Sequence, residues 1–314
     1  MIVNLAVALA LAAAPAPAQP PVGALPGSGA SVVAKLSGRP VQLSSYGTAA
    51  PGGQWAWNPA KRAWTRVDGA VGVSPDERRQ VRLADRAGGA PKVTFLDRRS
   101  GKESEVELPV PEDPEREGQY LRTLWPTWSP DGRRLLLNVF EPGGEPRSAG
   151  IVLIDVPSLE ARFVRIEKAL ITVGGFQWTH DGKGVVVRWG KNGSSAVRRY
   201  DLTGAVTRTW HVRGRPAASG LGAFSPSGRR FVTACTSLEK AACVWDTRTG
   251  KAVTQVKLAF SPVWGPTLGW YDERHLLAPV KDGVGVVDLT GRVVETLVKA
   301  GKKTTLYPHF ERRG

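Results

Sequence analysis

A turn motif that returns about every fifty residues, an abundance of glycine and proline, and short apolar runs that end in aspartate together predict an all-β fold, a β-propeller of six four-stranded blades. The clearest copy of the motif is Trp128-Ser-Pro-Asp-Gly-Arg-Arg-Leu-Leu-Leu137. Phe224-Ser-Pro-Ser-Gly228 and Trp178-Thr-His-Asp-Gly182 follow it closely, each leading into a β-branched or aromatic run. Val73-Ser-Pro-Asp-Glu77 and Trp270-Tyr-Asp-Glu273 are worn versions. The residue after the leading apolar side chain stands at positions 74, 129, 179, 225 and 271, giving intervals of 55, 50, 46 and 46 residues. That spacing suits a four-stranded blade.

Each unit has a physical logic. Proline presets φ at the first central turn position, Asp131 or Asp181 can bond the backbone that follows, and Gly132, Gly182 or Gly228 accepts a left-handed exit. A strand rich in leucine or β-branched residues comes next, then a second apolar run ending in Asp, as in Ile151 to Asp155, Cys243 to Asp246 and Val284 to Asp288. Thr247 to Gly250 and Leu289 to Gly291 read as turns into an outermost strand. Trp128, Trp178, Phe224 and Trp270 share one phase of the repeat, which marks them as packing residues between blades.

The Trp128 to Gly132 segment and the Trp245-Asp246 strand ending resemble the TolB-like and WD40-like β-propeller repeats of bacterial exported proteins. The resemblance covers the chain from about residue 40 onward and implies a ring-shaped scaffold. It names no activity, because such scaffolds host many functions. Five units are expected over 70–110, 124–167, 173–213, 220–259 and 267–299. Trp55 to Val67 has the look of an outer hairpin without an inner strand, and Lys303 to Phe310 of an inner strand without a hairpin. Their combination predicts a sixth blade that closes the ring by pairing N- and C-terminal strands. Seven blades is the alternative, should residues 30–50 supply strands of their own.

The expected organisation is a signal peptide over residues 1–18, a flexible linker over 19–39 and the propeller over 40–314. Val3 to Ala14 is apolar and ends near Ala16 and Ala18, small residues at signal-cleavage spacing, although no Lys or Arg precedes it. An uncleaved anchor is the second reading. The run is short for a membrane span, which needs about 20 apolar residues. Residues 19–35 are rich in Pro, Gly, Ala and Ser without periodicity. Cys235 and Cys243, the two cysteines, fall on neighbouring strand-like runs and are disulfide candidates in an oxidising compartment; two buried free thiols is the alternative.

Lys and Arg number 43 against 28 Asp and Glu, for a net charge of +15, which favours anionic partners. The basic residues are dispersed, with no zinc-finger spacing or RNP-like strand, so nucleic acid is not an expected partner. No hydrolase elbow, phosphate loop, dinucleotide fingerprint or zinc-protease motif occurs, and no catalytic residue, cofactor or metal is assigned. His180 replaces the turn proline and His275 begins a strand; His309 lies near the expected inner strand and could face the channel. Trp125, Trp189, Trp210 and Trp264 lie outside the packing phase and are candidates for an exposed face or an inter-blade contact. The leading reading is an exported, monomeric, non-enzymatic module that binds a protein or an anionic envelope polymer. The alternative is a lyase or glycoside-processing enzyme with its site in the central channel.

Overall fold

The computed structural model describes residues 19–48, 53–83, 90–141, 147–166, 169–171, 175–190, 196–217, 221–235, 240–259, 268–301 and 306–313. The segment 1–18, Trp264 and the loop Lys191–Ser195 lie outside the described residues, as do 142–146. All regular structure in the described residues is β, and no described helix is long and apolar enough to cross a membrane.

The chain opens with a small hairpin, β1 (Gly23–Leu25) and β2 (Ala30–Val32), and then supplies β3 (Val41–Thr48), β4 (Gly53–Asn58) and β5 (Ala63–Val67). Blade II is β6 (Ala70–Val73), β7 (Arg79–Leu83), β8 (Lys92–Asp97) and β9 (Glu103–Glu107). Blade III is β10 (Thr123–Trp128), β11 (Arg134–Phe140), β12 (Ser148–Asp155) and β13 (Glu160–Arg165). Blade IV follows as β14 (Gln177–Trp178), β15 (Gly184–Trp189), β16 (Ala196–Asp201) and β17 (Val206–Trp210). Blade V comprises β18 (Arg215–Pro216), β19 (Arg230–Ala234), β20 (Ala241–Asp246) and β21 (Ala252–Lys257). Blade VI is β22 (Gly269–Trp270), β23 (His275–Val280), β24 (Gly283–Asp288) and β25 (Val293–Ala300). The last strand, β26 (Leu306–Arg312), returns to pair with β3 and completes blade I in the order β26-β3-β4-β5.

The fold is therefore a six-bladed propeller whose ring closes by pairing the two ends of the chain. Residues 41–48 do form a strand, but it joins the closing blade and adds no seventh. Two expected boundaries are corrected. The stretch 19–39 is no free linker, because β1 and β2 extend the outer edge of blade VI through pairing of β2 with β25. Its strands are three residues each, too short to show periodicity, and Leu25, Ala30 and Val32 are buried against that edge. Blade V begins at Arg215 and not near residue 220; Phe224 keeps the aromatic position through an isolated bridge to Phe231.

The unbroken apolar runs follow from packing on both sheet faces. In β11, Leu135, Leu137 and Val139 join the core shared with blade II, while Leu136 faces the core shared with blade IV. Val185 and Val187 of β15 likewise sit with blade III, and Val186 with blade V. Outer strands such as β21 alternate towards solvent instead.

Consecutive blades are coupled by a repeated hydrogen bond. The Trp178 indole donates to the Thr127 carbonyl of the preceding blade at 3.0 Å, and the Trp270 indole donates to Ala223 O at 3.0 Å. Trp128 occupies the same position beside Gly72, yet its indole nitrogen is buried without a partner. At the closure seam Arg312 takes this role, donating to Trp270 O at 2.6 Å and Tyr271 O at 3.3 Å. Outside the ring, the seam is bridged by Tyr46 Oη donating to Pro26 O at 2.8 Å and by an Arg39–Glu295 ion pair at 2.8 Å.

The unequal bonding predicts unequal costs. Trp178→Phe and Trp270→Phe should each destabilise the protein by about 1 kcal/mol more than Trp128→Phe in denaturant titrations. Equal losses at the three positions would contradict the coupling. Deleting residues 304–314 removes β26 and the Arg312 seam, and should lower the melting temperature by more than about 10 °C.

Candidate functional site

Five blades converge at one end of the ring axis. Pro75 of blade II, Thr127–Pro130 of III, Gln177–His180 of IV, Leu221, Gly222 and Phe224–Pro226 of V, and Glu311–Arg312 of I enclose a cavity of about 80 Å3. The wall is built mainly from the Ser-Pro-Asp-Gly turns, so this is the turn-side mouth of the channel.

The turns are held by a repeated net of bonds. In blade III, Gly132 N donates to Ser129 O at 2.9 Å, and the Ser129 hydroxyl donates to Asp131 Oδ1 at 2.6 Å. Arg133 N donates to the same carboxylate oxygen, and Arg134 N donates to the Ser129 hydroxyl. Ser74 with Asp76 and Thr179 with Asp181 repeat the pattern. Burial would raise the Asp131 and Asp181 carboxyls, but the hydroxyl and amide donors outweigh it and hold both below the usual carboxylate range. These aspartates are turn fasteners. Blade V replaces the aspartate with Ser227, which instead receives the Glu273 carboxylate of blade VI on its amide and hydroxyl.

Turns also lean on one another around the mouth. Gly132 lies over Pro75, Gly182 over Pro130 and Gly228 over His180, all with φ between 63° and 70°. A Cβ at Gly228 would lie 2.1 Å from the His180 ring and would displace it, while the left-handed φ of 70° favours glycine there. His180 is accordingly an exposed turn residue wedged against the next blade and near Phe224.

Blade II breaks the pattern informatively. Its fourth turn residue is Glu77, held at φ 57° with a buried side chain. The preceding blade is the split one, with no covalent turn between β26 and β3. Glu77, Gln19 and Gln42 fill the vacant place. Gln19 Nε2 donates to Glu77 Oε1 at 2.9 Å, Gln42 Nε2 donates to Pro75 O, and Arg98 donates to Glu77 O at 3.0 Å. Burial pushes the Glu77 carboxyl up, against the opposing pull of Gln19 and Arg98.

Beside this filler stands Glu311, opposite Gln42 in the β26–β3 pairing. It is 8% exposed and lines the cavity, and no described residue donates to its carboxyl. Burial alone pushes it up to about 8. Nothing in the sequence singled it out: it is one acid before two arginines, and its burial arises only when the ring closes. His309, two residues earlier on the same strand, is held below its usual value by burial.

The remaining candidates have structural settings. Cys235 and Cys243 form a disulfide with Cα atoms 5.2 Å apart, at the opposite end of blade V from its Ser-Pro-Ser-Gly turn. The Trp245 indole donates to Thr233 Oγ1 at 2.9 Å. Trp210 is buried and donates to Thr247 O of the next blade at 2.9 Å. Trp125 packs edge-on to Phe140, and Arg198 lies over the Trp189 ring at 3.3 Å. Trp55, Trp57 and Trp64 cluster with Tyr46 inside the closing blade, which explains their density by packing. His275 bonds Asp272 at 2.9 Å, and His211 is exposed. Among the described residues, no group of three His, Cys, Asp or Glu side chains could hold a metal.

A closed six-bladed ring with an axial mouth defines the molecule as a TolB-like and WD40-like β-propeller in fold. Solved structures with this architecture include TolB from Acinetobacter baumannii, at 16% identity and TM-score 0.52 over 89% of this chain and 68% of that one. Kuenenia stuttgartiensis hydrazine synthase matches at 13% identity and TM-score 0.50, over 76% and 78% of the two chains. The β-propeller domain of Myceliophteria thermophila Cps50 (Swd1) matches at 12% identity and TM-score 0.50, over 84% and 87%. No protein-family model and no curated protein matches the sequence. The likeness is one of fold.

The buried carboxyl has a measurable signature. Glu311 is raised in the folded state, so the stability from its bound proton is complete below its unfolded value near 4.5 and is lost as pH rises through about 8. His309 is lowered, and its contribution is lost only as pH falls below 6.5. Between pH 6.5 and 8, stability should therefore fall with rising pH by up to about 1.4 kcal/mol per unit. In urea titrations Glu311→Gln should flatten that slope, and an undiminished slope would rule out a proton on this residue.

Proposed function

We propose that the protein is an exported, non-catalytic propeller that docks a projecting segment of a protein partner at the turn-side mouth. The observation that carries this reading is the composition of the mouth: the turn prolines Pro75, Pro130 and Pro226, with the edges of Trp128, Trp178 and Phe224, line a recess that contains one carboxyl, Glu311. A small concavity built from hydrogen-bonded turns suits a single side chain of a peptide loop, since the turns are ordered before binding. Its volume of about 80 Å3 is small beside the ~300–1,000 Å3 of sites that engulf a drug-sized molecule. Glycoside chemistry also requires two carboxyls at a defined separation, whereas Glu311 is the only carboxyl among the described lining residues.

The disulfide supports an oxidising, extracytoplasmic setting, because such bonds persist where thiols are not kept reduced. A second reading, an anionic envelope polymer as ligand, is favoured by a groove between blades V and VI. There Arg229, Arg230 and Arg274 face a single acid, Glu273, and that acid is engaged by Ser227.

A photo-crosslinker placed at Pro226 on the mouth, and separately at Lys240 on the opposite end of blade V, tests the reading in native envelope extracts. A discrete adduct from Pro226 alone, retained at high salt, is the expected result. Adducts of equal yield from both ends would contradict docking at the mouth. Retention on an anionic polymer that vanishes as salt rises would favour the groove instead.

A further inference from the structure

We propose that the turn-side mouth binds a basic side chain, an arginine on the docked segment, with Glu311 as its counter-ion. The inference rests on the docking reading and adds the chemistry of the group received. Glu311 is 8% exposed and faces the cavity with no protein donor among the described residues. Ionising a carboxyl in so buried a place is costly unless a cation or donor accompanies it.

Several donors around the cavity are engaged elsewhere, and the Trp128 indole N–H lies against Gly72. The Ser129 and Thr179 hydroxyls donate to Asp131 and Asp181, and the Trp178 indole donates to Thr127 O. Gln42 Nε2 donates to Pro75 O, and Arg312 reaches away to the carbonyls of Trp270 and Tyr271. A ligand entering the cavity can therefore supply the donor that the described residues do not, and a positive charge makes it strongest. An arginine suits the site better than a lysine, because its planar guanidinium can present two N–H groups to one carboxylate. A metal ion is a poorer fit, since Glu311 is the only carboxyl among the described lining residues.

Binding is then linked to protons. Below about pH 8 the empty site holds Glu311 protonated, so pairing with a cation expels that proton. The other titratable groups around it are His309 and Arg312 on β26 and His180 across the mouth. Glu77, Arg98 and Arg313 lie behind Pro75 and Gln42. All of these remain in a Glu311→Gln variant, which separates their titration from that of Glu311.

The test is calorimetric titration of the full chain with the capped tripeptide acetyl-Gly-Arg-Gly-amide, and with its citrulline counterpart, which keeps the shape and loses the charge. The arginine peptide should bind about tenfold more tightly for each pH unit between 6 and 8 and level off above. At pH 7 it should release close to one proton, read from buffers of different ionisation enthalpy. The citrulline peptide, and the arginine peptide on Glu311→Gln, should bind at least about tenfold more weakly and without that pH dependence. Equal binding of the two peptides, or arginine binding unaltered by Glu311→Gln, overturns the proposal. So does an absence of arginine-peptide binding at millimolar concentration. In either case a Pro226 adduct with a partner would still leave docking at the mouth intact. Should Glu311→Gln fail to fold, the proton count and pH dependence of the native chain decide alone.

Discussion

The structure depends on the contact between one blade and the next. A single four-stranded blade has two apolar faces, and each is covered only by a neighbour, as the division of Leu135, Leu136 and Leu137 between two cores shows. Area burial is non-directional, so something must set the angular step between blades. The Trp178 and Trp270 indoles do this from the inner strands, each anchored to a carbonyl of the blade before. Glycines seated on the preceding turn repeat the constraint at the mouth. A fixed step taken six times closes the ring.

Closure concentrates its difficulty in blade I, which is assembled from both ends of the chain. There the repeat supplies no tryptophan and no turn, and other side chains stand in. Arg312 donates across the seam to the Trp270 and Tyr271 carbonyls, Glu77 and two glutamines occupy the absent turn, and the β1–β2 hairpin clamps the outside through Pro26 and Tyr46. Most of these substitutes are polar, so the seam places hydrogen-bonding groups deep in a molecule otherwise closed by apolar packing. Glu311 is the one whose carboxyl is left without a donor. The candidate site is thus a product of how the ring is closed, and it is found where the repeat is interrupted.

This also explains what could be read in advance. Features written once per blade were legible. Trp128, Trp178, Phe224 and Trp270 recur in phase, and Asp155, Asp246 and Asp288 each accept backbone N–H bonds at a hairpin turn. Trp55 to Val67 and the last strand were legible as unpaired halves of one blade. Features belonging to the seam occur once and so carry no periodic signal. Strand β3 is Val-Gln-Leu-Ser-Ser-Tyr-Gly-Thr, whose serines and glycine resemble loop residues until β26 and β4 are paired on either side. The hairpin over 23–32 is hidden in a Pro/Gly/Ala stretch. Glu311 has no local neighbour that betrays burial, because the groups enclosing it come from residues 75 to 226.

Recognition at the mouth turns on the protonation state of Glu311. Carbon-13 labelling of the glutamate side chains, with Glu311 assigned by its loss in Glu311→Gln, would allow its carboxyl to be titrated directly in the folded chain. The expected midpoint is near pH 8 and moves sharply down when acetyl-Gly-Arg-Gly-amide is bound. A midpoint near the ordinary 4.5 in the free protein would show a solvated or already paired carboxyl, and would contradict the account.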